Sequence, residues 1–129
     1  MKKKIALSLA LLLVLLTLAV GCGASHANDP RIGSYIAYAP DGERIAYELT
    51  LYKNGEGEIV HYPVIGGEER EEIIFDFEGD DTVVIHGTAV TGGVLGRTEY
   101  IGKVTLMEGA YDIELSSADT GVPFAHFVR

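Results

Sequence analysis

From Ile32 onward, short runs of alternating apolar and polar residues recur, each closed by turn residues. The runs fall near 32–38, 43–53, 58–65, 72–78, 82–90, 98–106, 110–116 and 122–128. Between them stand Pro40-Asp41-Gly42, Asn54-Gly55, Gly66-Gly67, Gly79-Asp80, Gly92-Gly93, Glu108-Gly109 and Asp119-Thr120-Gly121. Glycine supplies the positive φ that tight turns need, and Asn or Asp tolerates it. Period-two alternation with regular turn signals predicts half-buried strands, and no stretch after residue 31 sustains a helical repeat. The pattern predicts an all-β fold of about eight antiparallel strands in an up-and-down meander. Closing the meander into a small barrel removes the exposed edges; a β-sandwich is the alternative.

Parity sets the expected registers. Ile45, Tyr47, Leu49 and Leu51 share one face of the second run. A two-residue Asn54-Gly55 turn would pair Leu49 with Val60, Tyr47 with Tyr62 and Ile45 with Val64, and a four-residue loop keeps that parity. A three-residue loop mixes the faces and is therefore disfavoured. Around Gly79-Asp80-Asp81 a three-residue loop instead places Phe77 against Val83 and Phe75 against Ile85. Tyr100, Val104 and Leu106 alternate with Glu99, Lys103 and Thr105, and Tyr111, Ile113 and Leu115 alternate with Asp112 and Glu114. Such charged outer faces exclude a membrane-spanning barrel, whose outside must be apolar. The last run is apolar on both faces, Phe124 against Phe127, and leaves its orientation open.

The start of the chain differs in kind. Lys2, Lys3 and Lys4 precede the apolar run Ile5–Val20. As a helix that run would reach about 24 Å, short of the ~30 Å hydrocarbon core. A positive start, a short apolar run and small residues after it describe an export signal rather than a membrane anchor. Ala19-Val20-Gly21-Cys22 closes it and resembles the bacterial lipoprotein signal, the lipobox. The resemblance implies cleavage after residue 21, attachment of lipid to Cys22, and an extracytoplasmic protein anchored to a membrane. The site would be the outer face of the plasma membrane in a Gram-positive cell, and the periplasm or outer membrane in a Gram-negative one. Residues 1–21 are then the signal, 22–31 the lipidated Cys with a small, polar tether, and 32–129 the β domain. His26 falls in the tether and is expected in solvent.

Charge sharpens this division. The whole chain carries −9, yet from Cys22 onward seven Lys and Arg face 19 Asp and Glu, a net of −12. An acidic domain excludes nucleic-acid binding, which needs a basic face. It favours a basic envelope protein as partner, with binding that weakens as salt rises. The one Cys excludes an intrachain disulfide framework.

Candidate chemistry is sparse. Nucleophile and phosphate-loop motifs are missing, so neither an enzyme nor a cofactor is expected. His61 on the polar face and His86 on the outside do not converge, and no metal site is expected. The acidic turn Asp76–Asp81 lacks the full calcium-loop spacing, and Glu68-Glu69-Arg70-Glu71-Glu72 reads as a solvated loop. Tyr47, Tyr62, Tyr100 and Tyr111 fall on expected inward faces. Each combines a large apolar ring with a hydroxyl, so together they are candidates for lining a small-ligand pocket.

Ile32-Gly33-Ser34-Tyr35 resembles the Gly-x-Trp start of lipocalin-type barrels, with Tyr35 in the Trp place. Arg129 stands where such barrels set an Arg over that aromatic. The resemblance implies a small lipocalin-like barrel of the kind found on bacterial envelope lipoproteins; it carries over the fold and neither a ligand nor copper.

Overall fold

The computed structural model describes His26, residues 28–89 and residues 93–129. The expected signal at 1–21, the lipid site Cys22 and the start of the tether lie outside the described residues. Eight strands follow in order: β1 (Gly33–Tyr38), β2 (Ile45–Leu51), β3 (Glu56–His61), β4 (Glu69–Phe77), β5 (Thr82–Gly87), β6 (Glu99–Met107), β7 (Ala110–Ser117) and β8 (Pro123–Phe127). Every strand pairs antiparallel with its sequence neighbour in one sheet. The sheet curls until β1 meets β8. There Ile36 N donates to Val128 O at 2.8 Å and Val128 N donates to Ile36 O at 2.7 Å. The fold is thus a nearly closed up-and-down barrel, and the sandwich alternative falls.

The interior is filled by side chains. Tyr35, Leu49, Leu51, Ile59, Ile73, Val83, Ile85, Ile113, Leu115 and Phe127 are all fully buried. Each large apolar side chain contributes about 1.5–3 kcal/mol by leaving water. The β4–β5 hairpin has the expected register, Phe77 opposite Val83 and Phe75 opposite Ile85.

The β2–β3 hairpin does not. Leu49 pairs with Ile59 and Tyr47 with His61. Tyr52 N donates to Glu56 O at 2.9 Å, closing a three-residue loop, Lys53-Asn54-Gly55. Gly55 sits at φ 86°, the left-handed position this loop length requires. The odd loop shifts parity, so Gly57, Ile59 and His61 face inward while Val60 and Tyr62 face outward. Gly57 is what permits this, since a Cβ there would collide with the Thr50 carbonyl and crowd Ile73. Ile59-Val60 offers an apolar residue to either face, so alternation alone could not choose.

Two further segments depart from expectation. The acidic run at 68–72 is strand rather than loop: β4 begins at Glu69, and Glu58 pairs with Glu72. In β8 the register slips between Leu115 and Ser116, so Leu115 faces Ala125 while Ser116 faces Pro123. That bulge gives the strand an extra residue, and it lets both Phe124 and Phe127 pack with the core.

Candidate functional site at the strap end

The barrel has two unlike ends. At one, β1 starts and the β2–β3, β4–β5 and β6–β7 turns gather; His26 and residues 28–32 cross it as a strap. His26 stacks on Phe75 with centroids 5.1 Å apart and meets Phe77 edge-on at 5.2 Å. It is 5% exposed, so the expected solvated tether residue is a buried plug.

Asp29 and Arg31 lock the strap. Arg31 donates Nε to Asp29 Oδ1 at 2.9 Å and Nη2 to Oδ2 at 2.6 Å. Its Nη1 donates to Gly79 O at 2.7 Å, and its guanidinium lies 3.8 Å from the Phe77 ring centroid. The Arg31 guanidinium, bonded to Asp29, holds that carboxyl below the usual carboxylate range despite partial burial. The Tyr35 hydroxyl donates to Arg31 O at 2.6 Å, and burial pushes its phenol above the ordinary value. On the far side of the mouth, Arg129 Nη1 donates to Pro30 O at 2.7 Å.

Between strap and barrel wall a groove of about 410 Å³ remains, lined by Asp29, Pro30, Arg31, Asp80, Val104, Leu106 and Tyr111. Val104, Leu106 and Tyr111 give it an apolar wall. Asp29 neutralises Arg31, which leaves Asp80 as the uncompensated charge at the rim. An apolar wall with a few polar groups at its edge suits a compact amphiphile.

The other end is closed by Glu71, which is 4% exposed. Its Oε1 accepts from the amides of Val94 (2.8 Å), Leu95 (2.7 Å) and Gly96 (3.0 Å). Its Oε2 accepts from Thr88 N at 2.9 Å and Ala89 N at 3.3 Å. Five converging N–H groups satisfy the buried carboxylate without a cation. The same contacts seat Leu95 in the core.

The four candidate tyrosines do not form one site. Tyr47 stacks on His61 (4.7 Å) and meets Phe124 at a tilt (4.9 Å), and Tyr100 meets Phe124 edge-on at 5.4 Å, all at the Glu71 end. Tyr111 is at the strap end. Tyr62, expected inward, is on the outer face, where its hydroxyl donates to Glu48 Oε1 at 3.2 Å; the odd β2–β3 loop is the reason. His61, expected on the polar face, is inward for the same reason, with its Nδ1 3.2 Å from Glu69 Oε1. Among the described residues no three His, Cys, Asp or Glu side chains converge to hold a metal ion. Sequence reasoning missed Asp29, Arg31 and Glu71. The available signal was Glu71's parity, which matches Ile73 and Phe75.

No protein family matches this chain, and neither a curated protein nor a solved structure proves similar to it.

Proposed function

We propose that this chain is an extracytoplasmic lipoprotein whose small barrel binds a compact amphiphilic ligand at the strap-end mouth. The carrying observation is the groove of about 410 Å³ beside Arg31, Asp80 and Tyr111. The filled interior argues for a ligand seated at the rim rather than inside a calyx. The anchoring half of the reading rests on Lys2–Lys4, the apolar run Ile5–Val20 and Gly21-Cys22. The role is binding, without a catalytic step or a cofactor.

Two measurements test it. Titration of the purified protein with small amphiphiles, followed by NMR, is expected to shift resonances of Arg31, Val104 and Tyr111. Tyr111→Ala is expected to weaken that binding at least about tenfold, the effect of losing ~1.4 kcal/mol of contact. Shifts spread evenly over the barrel, or no saturable shift, would discard the ligand reading. Feeding cells an alkyne fatty acid is expected to label the wild-type chain and not Cys22→Ser.

A second reading has its own support at the Glu71 end. Val64 and Ile65 project from the β3–β4 turn, 78% and 90% exposed. Large apolar side chains so presented suit a protein partner, and the net charge of −12 favours a basic envelope protein. Photocrosslinking from position 65 in intact cells tests this: a specific protein adduct lost at high salt is expected, and lipid adducts alone would refute it.

A further inference from the structure

We infer that the strap end rests on the bilayer surface, with the tips of the β2–β3 and β6–β7 hairpins in the lipid headgroup region. The inference builds on lipidation at Cys22. His26 is docked into the strap end, buried on Phe75 and Phe77. Four residue steps separate Cys22 from His26, so the lipid-bearing residue lies within about 14 Å of that end even at full extension. Six residue steps along β4, about 20 Å, separate Phe75 from Glu69, where the strand begins at the other end, so a lipid tethered through His26 stays nearer the strap end than the turns beyond Glu69. The docked strap, in place of a free tether, fixes which end faces the membrane.

That end is built to meet lipid. Tyr52 is 48% exposed at the β2–β3 turn, and Leu106 and Met107 are 59% and 58% exposed at the β6–β7 turn. A groove of about 580 Å³ lined by Ile32, Leu51, Tyr52 and Lys53, among others, runs along the outside of the same end. Tyrosine suits the boundary between headgroups and acyl chains, and Lys53 can lay its stem on the apolar surface with its ammonium in water. The β4–β5 turn, with Glu78, Asp80 and Asp81, and Glu108 beside Met107 oppose an anionic surface. The barrel therefore leans on apolar contacts and its anchor, and anionic lipid loosens it.

The chain has no Trp, so single indoles report position. The full chain is produced with its leader in a bacterium, purified from membranes, and reconstituted into phosphatidylcholine vesicles containing brominated lipid. Met107→Trp and Tyr52→Trp are expected to be quenched at least about twofold, as befits side chains at the acyl boundary. Ile65→Trp, at the other end, is expected to keep its emission. Replacing a third of the lipid with phosphatidylglycerol at low salt is expected to reduce the quenching. Equal quenching at all three positions, none at either tip, or quenching at 65 alone would overturn the inference. A blue shift without bromine quenching would assign the tips to contact between copies and overturn it too. Mass spectrometry reads the anchoring separately. If Cys22 carries no lipid, coupling its thiol to a maleimide lipid supplies the tether, and the same quenching pattern still decides the orientation.

Discussion

The guanidinium of Arg129 lies over the ring of Tyr35, 5.1 Å from its centroid, and bonds the carbonyls of Pro30 and Ile32. One side chain, two residues past β8, thus ties that strand to the strap and to the first inward aromatic of β1. Gly33 makes room for it, since a Cβ there would strike the guanidinium, at a φ of 134° that side chains rarely adopt.

Two variants measure that tie. Arg129→Ala is expected to destabilise the barrel by roughly 1–3 kcal/mol through the lost cation–π contact and charge-assisted hydrogen bonds. Gly33→Ala is expected to cost a similar amount by displacing the same group. If both act through the Arg129 side chain, the double variant is less destabilised than the two single effects combined. Urea denaturation reads all three.

Glu71 should be the most sensitive polar residue. Glu71→Gln keeps one acceptor oxygen but turns an NH2 group toward N–H donors in either orientation. The expected loss is about 2 kcal/mol or more. Amide hydrogen exchange is expected to quicken at Thr88, Val94, Leu95 and Gly96 before it does in β6 or β7. Unchanged protection at those four amides would contradict the assigned role.

Asp29 predicts the acid limb of stability. Its folded-state pKa is lowered by Arg31. The contribution is fully present above the unfolded value of about 3.9 and disappears as pH falls through the lower folded value. Asp29→Asn is expected to lower stability near neutral pH and to flatten the decline below about pH 4. Thermal melts from pH 7 to 2 compare the two proteins. A wild-type acid limb no steeper than the variant's would contradict the linkage.

The β2–β3 loop gives a backbone test. Gly55 holds φ 86°, so Gly55→Ala is expected to cost about 1–2 kcal/mol, and Gly55→Asn less.

The alternation of apolar residues made all eight strands legible, along with the register of β4–β5, because Phe75, Phe77, Val83 and Ile85 leave one apolar face on each strand. It failed where both faces were apolar. Ile59-Val60 and Phe124–Phe127 fit either parity, and there a loop length and a bulge decided. The expected pocket suffered from the same ambiguity, since Tyr62 moved outside with the register. Glu71 was hidden differently. Its charge suggested solvent, and only the amides of Thr88, Ala89 and residues 94–96, distant in sequence, make its burial tolerable. The strap was misread because small polar residues carry no periodicity, while His26 and Arg31 gain their places from Phe75 and Phe77, almost fifty residues later.

The seam at Ile36 and Val128 also bears on how the molecule comes into being. Synthesis delivers the chain from its amino end, so β1 through β7 exist before their closing partner does. Until then β1 and β7 are bare edges able to pair with another chain. The contact that becomes available last is thus the one that shuts the sheet on itself, and until it forms the chain offers open edges to its neighbours.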